Sequence, residues 1–123
     1  MFELCVIGLG GALGAVIRFV LGNTLTKVLG GIWPYGTFVI NLAGCFFMGV
    51  LMTIIVERGL LPPIWRMFLC VGLLGGFTTF SSFGFEGFTL LAEGRLLESL
   101  AYVAGSLGCG LVAVTMGVFL ARI

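Results

Sequence analysis

Long apolar blocks fill this chain, and charges and turn residues punctuate them at intervals that suit helices crossing hydrocarbon. A bilayer core of roughly 30 Å takes about 20 residues per helix. Four spans follow, at roughly residues 4–25, 36–56, 64–91 and 99–121. The first is interrupted only by Arg18, and the second carries no charge. Glu57, Arg58, Gly59 and the Pro62-Pro63 pair make a short loop. The third has Arg66 near its start, a Gly-Gly-Phe-Thr-Thr break at residues 75–79, and Glu86 late; Ala92 to Glu98 is a second charged turn. The predicted fold is an all-α membrane protein, a single domain over residues 1–123 with four transmembrane helices and a break in the third. Glu3 stands where a signal peptide would carry a basic segment, so the first span reads as part of the domain.

Composition sharpens this picture. Of 123 residues, 60% are hydrophobic and 21 more are Gly, against six Lys or Arg, five Asp or Glu and no His. A soluble globule of this size has no interior large enough for such a load, and a net charge of +1 offers no field for nucleic acid. Without imidazole, neither a base-nucleophile pair nor a His metal site can be assembled, so no enzyme is expected. The four Cys residues all fall inside spans without CxxC pairing and read as packing residues.

An even number of spans puts both termini on one side, with Arg58, Arg66 and Arg122, while Lys27 and Arg95 lie opposite. So small a bias leaves two readings: one extra Arg sets the orientation, or the chain inserts both ways and forms an antiparallel homodimer in the lipid bilayer. Gly10 and Gly14, and the run Ala101, Gly105, Cys109, Ala113 and Gly117, offer small-residue stripes for close helix packing.

Polar residues at membrane depth are the candidates for function. Arg18 lies about 21 Å into the first span, and either snorkels to headgroups or supplies a fixed positive charge that pairs internally or draws anions to a vestibule. Asn41 enters about 8 Å from the opposite face, at much the same level as Arg18, with Thr37 one turn earlier, as an interhelical hydrogen bond or as a pore-lining donor. The break should unwind backbone near the midplane. Its carbonyls then either meet those of a second copy around a small monovalent cation or are satisfied by the Thr78 and Thr79 hydroxyls. Phe80 and Phe83 can turn positive ring edges toward an anion, with Ser81 and Ser82 donating between them. Glu86 reads as a solvated terminus or as a gate, and Tyr102 and Ser106 place two hydroxyls on one face of the fourth span.

Residues 10–19 (GGALGAVIRF), 36–49 (GTFVINLAGCFFMG) and 75–83 (GGFTTFSSF) resemble, in order and spacing, the signature segments of the small bacterial fluoride channels, Fluc or CrcB. The resemblance implies a passive fluoride channel of the bacterial cytoplasmic membrane, in which two antiparallel subunits form two pores around a structural sodium ion. The sodium would be held by the main-chain carbonyls matching Gly75 and Thr78. Fluoride would meet Asn41, the edges of Phe80 and Phe83, and a polar track of Ser81, Ser82 and Glu86 with Tyr102 beside it, below a vestibule with Arg18. Members often have Thr at the position of Ser82 and Ser at that of Gly84, so the track here is expected to be shorter or to use water. A small multidrug exporter should carry a carboxylate where this chain has Arg18, and a purely structural subunit would leave the Thr-Thr-Phe-Ser-Ser-Phe segment without a purpose.

Overall fold

A computed structural model describes all residues from Met1 to Ile123, and it is helical throughout. Helix α1 runs Phe2–Leu29 and stops where Gly30 takes φ 61° and returns its N–H to Thr26 O. Gly31, at φ 86°, completes a reversal that only glycine makes without strain. After Pro34, α2 spans Tyr35–Met52 and continues through a π-helical turn, Thr53–Glu57. Beyond Pro62-Pro63, α3 consists of a π-helical stretch, Arg66–Leu74, and a short α-helical end, Gly75–Phe77. Helix α4 is Phe80–Ala92 and α5 is Leu96–Arg122.

The break lies later than its composition suggests. Gly75 and Gly76 remain helical, and the extended residues are Thr78 (φ −80°, ψ 159°) and Thr79 (φ −147°, ψ 112°). Weak helix propensity is overridden here by packing, because Gly76 lies where a Cβ would strike the Gly11 carbonyl of α1. The helices also outrun the predicted spans. Lys27 and Arg122 sit in the last turns of α1 and α5, where a cation favours the negative end of a helix, so charge does not mark the boundary there.

Backbones meet at two glycine seams. A Cβ on Gly10 or Gly14 of α1 would collide with the Phe68 or Leu73 carbonyl of α3, and one on Gly49 of α2 or Gly117 of α5 with the Val114 or Phe46 carbonyl opposite. These seams lie within one chain. The every-fourth-residue stripe of α5 does not form one face: Gly117 is buried against α2, whereas Ala101 and Cys109 are exposed. Four residues turn a helix by about 400°, so such a stripe drifts about 40° per step. The buried residues of α5 are instead Ser99, Tyr102, Gly110, Gly117 and Ala121, with Ser99 and Tyr102 bonded to Gly87 and Glu86 of α4, and Gly110 and Gly117 against Cys45 and Phe46 of α2. Outward, large apolar side chains such as Phe19, Leu111 and Phe119 are exposed. Four helical segments, Phe2–Leu29, Tyr35–Glu57, Arg66–Ala92 and Leu96–Arg122, are long and apolar enough to cross a membrane.

Candidate functional site

Several polar side chains at membrane depth gather on the break between α3 and α4. Asn41 of α2 pairs with both backbone groups of Thr79: its Nδ2 donates to Thr79 O (3.1 Å), and its Oδ1 accepts from Thr79 N–H (2.8 Å). The Thr79 hydroxyl caps α4 by accepting from Ser82 N–H (3.2 Å) and donates to Ser82 Oγ (3.0 Å). Arg18 Nε donates to Gly76 O (3.1 Å), so the guanidinium pairs internally at the end of α3.

These bonds decide which carbonyls stay free. In an unbroken helix Thr79 N–H would bond Gly75 O, and Ser82 N–H would bond Thr78 O. Both donors are diverted, one to Asn41 and the other to the Thr79 hydroxyl. The threonine hydroxyls do not fill the gap, because that of Thr78 donates to Leu74 O (3.0 Å) and that of Thr79 to Ser82. Gly75 and Thr78 therefore present carbonyl oxygens without their helical partners, Gly75 on the exposed face of the subunit. No group of three Cys, Asp or Glu side chains stands ready for a metal, so a cation at this point would be held by backbone oxygen.

On one side of the break lies a polar chamber of about 210 Å³, walled by Arg18, Asn23, Thr26, Thr37, Ser82 and Glu86. Glu86 is no solvated terminus: Thr37 Oγ1 donates to one carboxylate oxygen and the Tyr102 hydroxyl to the other, each at 2.8 Å. On the other side is a groove of about 310 Å³ with Asn41, Thr78, Phe80, Phe83 and Ser106 in its wall. Thr79 faces both spaces. The Phe80 and Phe83 rings are 5.6 Å apart and tilted by 39°, but differently placed: Phe83 is 9% exposed and packs on Tyr102, while Phe80 is 82% exposed. Tyr102 is fully buried, with the rings of Trp33 and Phe83 each 5.2 Å away.

Over residues 5–118 the chain matches the family described as CrcB-like protein, Camphor Resistance (CrcB). The chain belongs to the CrcB family. It is 48% identical over 122 residues to the Fluoride-specific ion channel FluC of Chloroflexus aurantiacus, covering 99% of this chain and 97% of that protein. A protein of the same name from Solibacter usitatus is 46% identical over 116 residues (94% and 95% of the two chains), and one from Rhizobium meliloti 38% identical over 122 (99% and 98%). With its four spans, this CrcB protein is a multi-pass membrane protein.

Most of the residues singled out from the sequence meet here. Arg18, Asn41, Gly75, Thr78, Phe80, Phe83, Ser82 and Glu86 all lie at the break, the chamber or the groove, and Tyr102 is buried behind them with its hydroxyl on Glu86. Ser81 does not: it is exposed and lines neither space, because one helical step of about 100° turns it away from Ser82. Gly84 is likewise exposed, with nothing near an added Cβ. Asn23 and Thr26 escaped notice, and Thr79 drew it only for its hydroxyl. The signal for Thr26 was its place two turns beyond Arg18 on the same helix face, whereas Thr79 looked like one more weak helix former. Ser106 takes a larger part than its pairing with Tyr102 suggested, since its buried hydroxyl has no protein partner and borders the groove.

Proposed function

We propose that this CrcB family protein is a passive, fluoride-selective channel of the bacterial cytoplasmic membrane. In this reading two antiparallel copies form two pores, with a structural sodium ion between them. The observation that carries it is the junction at Thr79, where a chamber walled by amides and hydroxyls abuts a groove edged by two phenylalanines. The full-length relatives named Fluoride-specific ion channel FluC supply the ion.

Chemistry favours the same anion. Fluoride holds its water tightly and is a strong hydrogen-bond acceptor, so its passage requires many donors, none strong enough to trap it. Ser82 and Asn23 are neutral donors of this kind in the chamber, where Thr37 and Thr79 already give their hydroxyl hydrogens to Glu86 and Ser82, and the Ser106 hydroxyl continues the series in the groove. The two formal charges are restrained, Arg18 by the Gly76 carbonyl and Glu86 by two hydroxyls. The Phe80 and Phe83 edges offer weak positive sites.

A second copy suits the groove. It is open along one side, and Phe80 and Gly75 are both exposed in the isolated subunit. An antiparallel partner would close it and bring two further carbonyls to those of Gly75 and Thr78. Four neutral oxygens suit a monovalent cation, whose charge would tie the two breaks together. Efflux from proteoliposomes tests the function: vesicles clamped with potassium and valinomycin should release fluoride fast and retain chloride. Release of neither ion faster than from empty vesicles, with folded protein present, overturns the channel reading.

A further inference from the structure

The peptide plane between Thr78 and Thr79 carries two groups with different duties. Its N–H is bonded to Asn41 Oδ1 at 2.8 Å, on the side where Asn41 and Thr79 border the groove. Its C=O is that of Thr78, which has lost its helical donor to the Thr79 hydroxyl. A trans peptide is rigid and places N–H and C=O on opposite edges. Whatever fixes the N–H therefore aims the carbonyl the opposite way. Asn41 also holds the Thr79 carbonyl through Nδ2 (3.1 Å), so the plane on each side of Thr79 is pinned to α2.

Arg18 acts on the neighbouring peptide. By donating to Gly76 O (3.1 Å) it satisfies the carbonyl next to that of Gly75, whose own helical donor, Thr79 N–H, has gone to Asn41. Two side chains from two other helices thus act on the carbonyls of the break, and each also borders a polar space of the pathway.

We propose that Asn41 and Arg18 are positioning residues that set the cation affinity of the break, Asn41 by freeing the Gly75 carbonyl and orienting that of Thr78, and Arg18 by holding the neighbouring Gly76 carbonyl on itself. The inference rests on the reading of this break as a sodium site. It gives both residues a role that fluoride conduction alone would not reveal, since neither side chain is itself a ligand to the cation.

The test is the melting temperature of the purified full-length protein in detergent, titrated with sodium chloride against N-methylglucamine chloride at constant ionic strength. A ligand that binds only the folded state raises that temperature in a concentration-dependent way. The wild type should rise and saturate. Asn41→Ser removes both bonds to Thr79 and should raise the half-maximal sodium concentration about tenfold. Arg18→Lys keeps the charge but loses the planar guanidinium donor, and should raise it about threefold. Variants that respond to sodium like the wild type overturn the positioning role and leave the sodium site standing. A wild type that does not respond overturns the sodium reading and this inference with it. Should Asn41→Ser not fold, the Arg18→Lys titration decides alone, because that variant retains every bond Asn41 makes.

Discussion

Replacing Tyr102 with Phe removes one oxygen and leaves the ring that fills the space between Trp33 and Phe83, 5.2 Å from each. What is lost is the donor to one oxygen of Glu86 (2.8 Å), while Thr37 still holds the other. A hydrogen bond to a charged group contributes roughly 1.5–3 kcal/mol. Each 1.4 kcal/mol is about a factor of ten, so the held carboxylate rotamer should become about 10- to 150-fold less favoured. The lower end applies, because Glu86 is only half-buried and borders the chamber, where water can replace the lost hydroxyl. A carboxylate released from Tyr102 swings its charge into the chamber, which in the proposed channel an anion has to cross. Fluoride efflux from proteoliposomes, followed with a fluoride electrode, should therefore fall about tenfold in Tyr102→Phe at unchanged protein density. The same substitution in a Glu86→Gln background should fall by less than about twofold, since no charge is left to release. Efflux at the wild-type rate, or the same fall in both backgrounds, would refute the idea that the Tyr102 hydroxyl works through the Glu86 carboxylate.

The two phenylalanines should separate. Phe80→Ile and Phe83→Ile are both expected to cut fluoride efflux, but only the buried Phe83 should also lower fold stability, on the order of 1 kcal/mol by denaturant titration. Gly14→Leu should prevent assembly of the fold, because even its Cβ meets the Leu73 carbonyl and the Phe77 amide, and size-exclusion chromatography should show only aggregate. Gly84→Ser meets nothing within 4 Å and should leave the melting temperature unchanged. Glu57→Gln breaks the exposed pair with Arg122 (2.8 and 2.9 Å) and should leave fluoride efflux at the wild-type rate, because the pair lies far along the sequence from the break and borders neither polar space.

How much of this was legible without the structure depended on the kind of signal. The four spans followed from length and hydropathy, which the bilayer alone dictates. The third helix was legible as broken but not where, because the glycines that weaken it are the ones packed on α1, and packing kept them helical. Asn41 was visible as a polar outlier at depth, but its two alternatives could not be separated from composition. It makes the interhelical hydrogen bonds and borders the groove as well. Ser81 could not be told from Ser82 because adjacent hydroxyls in a sequence look equivalent, while a helix turns one of any such pair away, here leaving Ser81 exposed on the subunit. Thr79 was the largest loss. Its value lies in an extended backbone conformation that exposes N–H and C=O to Asn41, and no residue-type pattern announces that.

The placement of charge explains why the pathway needs a broken helix at all. A guanidinium or carboxylate left free at membrane depth would be costly to bury, and either would distort an anion path, one by trapping and the other by repulsion. Here Glu86 has its two oxygens capped by Thr37 and Tyr102, which side chains from intact helices can supply. Arg18 requires an acceptor, and the carbonyls in the interior of an intact helix each already accept an N–H and point along its axis. The break provides one at Gly76, and the same interruption frees the Gly75 and Thr78 carbonyls and exposes the Thr79 backbone to Asn41. Restraining the positive charge, lining the junction and presenting two free carbonyls, which in the proposed channel would hold the cation, are thus one structural event. A substitution that restored a continuous helix across Thr78 and Thr79 should therefore disturb all three together. Thr79→Ala, which removes the cap on α4 but leaves the main-chain pairing with Asn41, should disturb chiefly the Ser82 side of the chamber. Fluoride efflux should fall in Thr79→Ala while the sodium dependence of melting persists; loss of both would show that the cap and the carbonyls are not separable.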